Sequence, residues 1–158
     1  MTKQFKRVMV TGGAGYVGSR LVPKLLDAGY EVAVLDLFIY GDVFADLQSD
    51  AKLTECRGDL RNPADVARAL DGCGAVIHLA CISNDPSFDL NPDLGRSINY
   101  DCFEPLVVAA RKAGVKRFVY CSTSSVCKPS RRSPHAALSW SSQPSPSARP
   151  VPAHASLL

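Results

Sequence analysis

The sequence predicts a doubly wound α/β domain, a parallel sheet covered by helices on both faces. Three observations carry that expectation. Short β-branched runs alternate with segments of helical spacing, the runs are apolar throughout, and glycines cluster where the first run meets the first helix. Right-handed crossovers then wind the chain both ways from its first strand. At 158 residues, with 46% hydrophobic and 21% charged residues, the chain has the material for one domain with its own core.

Five strands are expected, at Arg7–Thr11, Glu31–Asp36, Lys52–Cys56, Ala75–Ala80 and Arg117–Cys121, in the spatial order 3-2-1-4-5. The first helix puts Val17, Leu21, Leu25 and Ala28 on one face and stops at Gly29, with Pro23 inside it predicting a kink. Asn62-Pro63-Ala64-Asp65 reads as an N-cap, a first-turn proline and a first-turn acid, opening a helix that ends at Asp71-Gly72. A longer helix aligns Ile98, Cys102, Leu106, Ala110 and Ala113 and ends at Gly114. The stretch 38–50 is ambiguous, with a short helix as one reading.

The net charge of +3 is unevenly placed. Residues 1–127 carry 14 Lys and Arg against all 15 Asp and Glu, while residues 128–158 carry four Arg and Lys and no acid. The body therefore offers no basic face for nucleic acid. Residues 128–158 hold six of the eleven prolines, eight serines and no glycine, a composition that cannot offset its own ordering entropy. Residues 1–127 are thus expected to form the domain and 128–158 a disordered tail.

No apolar run approaches the ~18 residues of a membrane span, and the start has no signal-peptide pattern, so a cytoplasmic protein away from membranes is expected. Six cysteines without C-x-x-C spacing read as reduced thiols, with no metal site.

The stretch Thr11-Gly12-Gly13-Ala14-Gly15-Tyr16-Val17-Gly18 follows a strand and opens a helix. In that setting Gly12 allows a tight turn, Gly15 lets main-chain amides approach a pyrophosphate, and Gly18 lets the helix pack close to the strand. The helix start adds unpaired donors and a positive dipole end. Asp36 closes the second strand 18 residues after Gly18. A carboxylate there can accept both hydroxyls of an adenosine ribose and repel a 2′-phosphate, and no Arg follows it, which favours NAD over NADP.

On these residues the chain resembles the extended short-chain dehydrogenase/reductases, in particular the NAD-dependent nucleotide-sugar epimerases and dehydratases. Four further motifs follow in family order. Gly58-Asp59-Leu60-Arg61 resembles the G-D-[LI]-[RT] step, and His78-Leu79-Ala80-Cys81 resembles the H-L-A-A strand end. Asn99 stands where an N-x-x-G-T helix has its Asn, although Cys102-Phe103 replaces Gly-Thr. Ser122-Thr123-Ser124-Ser125-Val126 resembles S-[ST]-x-x-V-Y-G, departing from it at Cys127-Lys128.

The resemblance covers residues 6–126 and implies the N-terminal part of a Rossmann-like fold, truncated after about five strands. It implies NAD as cofactor, held by Gly12, Gly15, Tyr16, Val17, Gly18, Asp36, Asp59, Leu60, Leu79, Ala80, Cys81 and Asn99, with Thr123 as the catalytic hydroxyl. It implies a nucleotide-sugar as the substrate of a full-length relative, and admits homodimers there. Plain structural alternatives stand beside it: Asp59 as a turn residue, His78 as a satisfied core histidine, Asn99 as a solvated helix residue and the Ser/Thr run as a loop.

The family's chemistry needs a partly ionised Tyr with Lys four residues on, since a free phenol has pKa ~10. None of Tyr16, Tyr30, Tyr40, Tyr100 and Tyr120 has that Lys. Three functions are therefore open: the cofactor-binding part of an epimerase or dehydratase, inactive alone; a non-catalytic NAD-binding module; or a truncated product without function. The compositional break suggests that residues after about 127 come from a shifted reading frame or a fused segment. Resequencing for an in-frame Y-x-x-x-K would test that.

Overall fold

The computed structural model describes residues 4–47, 49–82 and 90–121. Thr123, its flanking Ser/Thr run and the expected tail at 128–158 lie outside them. Five strands, β1 (Arg7–Thr11), β2 (Glu31–Asp36), β3 (Leu53–Arg57), β4 (Ala75–His78) and β5 (Arg117–Tyr120), form one sheet in the order β3-β2-β1-β4-β5. Every pairing is parallel, with Val10 opposite both Val34 and Ile77 in the middle. The predicted fold and strand order are both present.

Alternation along the central strands builds two cores. Val8, Val10, Val32, Val34 and Ala75 point to one face, where Val22 and Leu26 of α1 (Gly18–Asp27) meet Phe38 and Phe44. Met9, Ala33, Leu35 and Val76 point to the other, against Val66 and Leu70 of α2 (Pro63–Leu70) and Phe118. That second core also takes Leu106 and Ala110. They come from the last helix of a run made of α3 (Pro92–Arg96), a π-helical turn at Ser97–Asp101 and α4 (Phe103–Lys112). Burial on both faces is why the strands read as unbroken apolar runs, and each fully buried Val, Leu or Phe contributes ~1.5–3 kcal/mol.

Several boundaries differ from expectation. β3 lies one residue later at both ends, while β4 ends at His78 and β5 at Tyr120, where the chain turns into the loops that form the site. The buried row of α1 is Gly18, Val22 and Leu26, while Val17 is 57% exposed and Leu21 and Leu25 only flank the core. Gly18 without a Cβ sits directly on Gly13, so the helix docks through that row rather than the one beside it. Pro23 lies inside this helix, which continues to Asp27 just before Gly29.

The long predicted helix is interrupted by the π-helical turn. Cys102, Leu106 and Ala110 are buried as expected, but Ile98 is only half-buried and Ala113 lies exposed past the helix end. By contrast α2 begins as read: the Asn62 side chain accepts the Ala64 amide at 3.0 Å and Pro63 takes the first turn. Among the described residues of the stretch 38–50, a short 3₁₀ turn forms at Ala45–Leu47.

Candidate functional site

Among the described residues, Gly12, Asp36, Asp59 and Leu79 lie at or just past the carboxyl ends of the strands, where open parallel sheets form their ligand crevices. Gly12 leaves β1 with φ +68°, and its amide donates to the Leu35 carbonyl at 2.9 Å. A Cβ on Gly12 would lie 2.6 Å from Ala80 Cα, so the turn is pressed against the chain leaving β4. The Gly15 amide donates to the Gly12 carbonyl at 3.1 Å. Gly15 therefore closes the turn with its own N–H, a local role that the sequence reading did not assign to it.

The helix that follows is open at its start. Val17 occupies the N-cap without a side-chain hydrogen bond, and its first turn carries no acid. Tyr16 stands almost free, 94% exposed. Main-chain carbonyls take the Ser19 and Arg20 amides, that of Gly15 at 2.8 Å and that of Val17 at 3.2 Å, and no first-turn acid stands at the positive end of the dipole.

Asp36 ties this turn to the sheet. Its Oδ2 accepts the Ala14 amide at 3.0 Å and its Oδ1 accepts the Phe38 amide at 2.8 Å. The second bond depends on an unusual backbone, because Phe38 has φ +54°, a region that bulky L-residues rarely adopt. Its ring is buried edge-on to Phe44, with the Arg57 guanidinium over it 4.7 Å from its centre. This packing holds the strained residue in place. Two carboxylate oxygens have about four lone-pair sites, so two main-chain donors leave Asp36 room for further donors.

At the end of β4, buried Thr11 and His78 are joined, Oγ1 to Nδ1, at 2.6 Å. Thr11 Oγ1 also accepts the Ala80 amide at 3.4 Å, which ties the chain leaving β4 to the end of β1. Rings of Phe103, Phe118 and Tyr120 surround the imidazole with centroids 5.7–6.2 Å away. Burial pushes its pKa down to about 4, which leaves it neutral near pH 7. His78 is thus the satisfied core histidine of the plain alternative.

Beyond it, Leu79 donates its amide to the Thr11 carbonyl at 3.0 Å and is half-buried, while Cys81 is exposed. Asn99 then clips this segment: its Oδ1 accepts the Ile82 amide at 2.8 Å and its Nδ2 donates to the Ile82 carbonyl at 2.9 Å. The residue is a clamp on the loop after β4, not a solvated helix position.

Asp59 is also engaged. Arg61 donates from Nε at 2.9 Å and from its backbone amide at 2.8 Å to Asp59 Oδ1, and a second guanidinium nitrogen bonds Oδ2. These Arg61 contacts hold the Asp59 carboxyl below the usual range. Leu60 beside it is half-buried against the second core.

The sequence reading passed over Thr11, Ala14, Phe38 and Arg61. Arg61 follows Asp59 at the spacing of an Asx turn, which could have flagged it; nothing in the sequence marks a positive φ at Phe38. Among the described residues no group of three or more His, Cys, Asp and Glu is placed to hold a metal, and no helix is long and apolar enough to cross a membrane.

A glycine-built turn, an uncapped helix start and a carboxylate closing the next strand together define a dinucleotide-binding domain of the doubly wound class. The model of the NAD dependent epimerase/dehydratase family matches residues 8–150, and the chain belongs to that family. Its cofactor, by the family's description, is NAD.

A 3-beta-hydroxysteroid dehydrogenase of Mycolicibacterium neoaurum is 39% identical over 124 residues, 76% of this chain and 32% of that protein. Among solved structures, the UDP-glucose 4-epimerase of Thermus thermophilus in complex with NAD is 35% identical with a TM-score of 0.64. That match covers 74% of this chain and 37% of the epimerase. The UDP-N-acetylglucosamine 4-epimerase of Methanobrevibacter ruminantium superposes with a TM-score of 0.68 at 29% identity, over 78% of this chain and 40% of that one. The chain spans about a third of the length of the curated relatives it matches.

Proposed function

We propose that this chain binds NAD and is the cofactor-binding part of a nucleotide-sugar epimerase or dehydratase, without turnover on its own. Bound NAD would supply transient hydride acceptance; the chain's residues bind and orient it. The turn at Gly12, Gly15, Tyr16, Val17 and Gly18 holds the pyrophosphate at the helix start, and Asp36 accepts the ribose hydroxyls. Asp59 and Leu60 flank the adenine. Leu79, Ala80 and Cys81 line the path beyond the pyrophosphate, and Asn99 holds that segment in place. Thr123 orients a substrate oxygen, while none of the chain's tyrosines has the Lys four residues on that the family's proton transfer uses.

The observation that carries this reading is the Asp36 carboxylate, fixed by Ala14 and Phe38 beside an open helix start. Calorimetry of the purified protein tests it: NAD binds, and NADP binds at least about tenfold more weakly because its 2′-phosphate meets that carboxylate. No heat with NAD, or equal affinity for both, overturns the assignment. NADH appearing on addition of UDP-, GDP- or dTDP-sugars would overturn the absence of turnover.

A steroid is the second substrate class, favoured by the 39% identity to the hydroxysteroid dehydrogenase. The reading divides the chain into a binding domain at 1–127 and a tail at 128–158. The free cysteines and a dinucleotide ligand support a cytoplasmic place for it.

A further inference from the structure

Asp36 and Arg57 stand opposite each other in the register of β2 and β3, so their side chains leave the same face of the sheet. Among the described residues no ion pair includes Arg57. Its guanidinium lies instead over the Phe38 ring, 4.7 Å from the centre, and Nη1 donates to the Leu37 carbonyl at 3.4 Å. That carbonyl belongs to the same peptide unit as the Phe38 amide, which donates to Asp36 Oδ1 at 2.8 Å. The Leu37–Phe38 unit is thus held at both ends, by a guanidinium on its oxygen and a carboxylate on its hydrogen. Turning that unit over is how Phe38 would leave its disfavoured φ of +54°, and both bonds oppose it. Arg57 has its own anchors: its carbonyl accepts Arg68 Nη2 at 3.1 Å, and the next amide, Gly58, donates to the Asp36 carbonyl at 2.9 Å.

We infer that Arg57 is a positioning residue for dinucleotide selection: through the Leu37–Phe38 peptide unit it holds the Asp36 carboxylate in the orientation that accepts ribose hydroxyls and turns away a 2′-phosphate. The selection rests on the proposed NAD site; the hold on Phe38 does not. Without the guanidinium the peptide unit turns, the Phe38 amide leaves Oδ1, and Asp36 keeps only its bond from Ala14. NAD must then re-order the carboxylate as it binds, and loses affinity. NADP meets a carboxylate free to swing away from its 2′-phosphate, and loses less. Direct contact between Arg57 and a 2′-phosphate predicts the reverse, because removing the guanidinium would then weaken NADP more.

The test compares the full chain with Arg57→Ala and Arg57→Lys. Arg57 is exposed on the edge strand, so its replacement leaves the core intact. Amide exchange by NMR is read first, without cofactor. Protection at Phe38 should fall at least about tenfold in Arg57→Ala, and less in Arg57→Lys, which keeps a cation for the ring and a donor for Leu37. Calorimetry then gives the ratio of NADP to NAD dissociation constants, which a loss of stability alone would not move. It should shrink about fivefold in Arg57→Ala, the size of a lost cation–π contact. Equal Phe38 protection in all three proteins would overturn the inference, as would a ratio that stays level or widens in Arg57→Ala. Protection lost as expected, with NAD bound by none of the proteins, would sink the cofactor site and the selection with it while keeping the hold on Phe38.

Discussion

The carboxylate of Asp36 accepts the main-chain amide of Ala14 at 3.0 Å, joining the end of β2 to the glycine turn across 22 residues. One side chain therefore sets the shape of the turn and presents the charge proposed to select the ribose. Asp36→Asn keeps the size but turns an amide NH2 toward either Ala14 N–H or Phe38 N–H. Leaving one of those donors unpaired costs about 1–3 kcal/mol. The variant should melt at lower temperature and bind NAD more weakly by at least about tenfold in calorimetry. Undiminished NAD affinity would remove Asp36 from the site.

Gly12 is constrained twice, by φ +68° and by Ala80 Cα 2.6 Å from where a Cβ would sit. Gly41 has φ +88° but nothing within 4 Å of that position. Gly41→Ala should therefore cost only the backbone penalty of roughly 1–2 kcal/mol. Gly12→Ala adds the push on Ala80 and should cost more than twice as much, with loss of NAD binding. Urea unfolding of the two variants compares them directly; equal destabilisation would mean that the contact with Ala80 is relaxed at no expense.

What was legible in the sequence is what repeats or what chemistry restricts to a few residue types. Apolar runs such as Val32–Leu35 declare strands buried on both faces, and their alternation with helices yields the sheet order. Asn62-Pro63 declares a helix start because a cap needs an acceptor and the first turn needs no N–H. Tertiary choices were not legible. The row of α1 that docks is decided by Gly18 meeting Gly13, which spacing of Leu and Val cannot show. Phe38 adopts a backbone its residue type disfavours because its ring has Phe44 and Arg57 to pack against. Asp59 offers the acceptor the motif suggests, yet Arg61, two residues on, takes it.

Asn99 makes both bonds of a β-bridge with a side chain, donating to and accepting from the backbone of Ile82. Asn99→Asp retains an acceptor for the Ile82 amide but sets a carboxylate oxygen against the Ile82 carbonyl. Asn99→Ala leaves both groups unpaired. In hydrogen exchange the Ile82 amide should lose protection in Asn99→Ala and keep part of it in Asn99→Asp, since only the former has no acceptor there. NAD affinity should fall in the same order if the loop after β4 positions the cofactor. Unchanged exchange at Ile82 in Asn99→Ala would show that the clamp does not order the loop.

His78 makes the stability of the fold depend on pH, with a definite sign. Burial lowers its pKa to about 4 in the folded chain, against ~6.5 for a free imidazole. Between those values the unfolded chain binds a proton that the folded chain refuses, so acid favours unfolding. The neutral imidazole's contribution is complete above pH ~6.5 and is lost as the pH falls toward about 4. His78→Asn removes that titration, at the expense of ring packing against Phe103, Phe118 and Tyr120. The variant should be less stable at pH 7, yet its Tm should fall less than the parent's between pH 6.5 and 4.5, as read by circular dichroism at matched ionic strength. Parallel Tm curves for the two proteins would mean that the folded imidazole takes up its proton at the same pH as the unfolded one, and that burial does not hold it neutral.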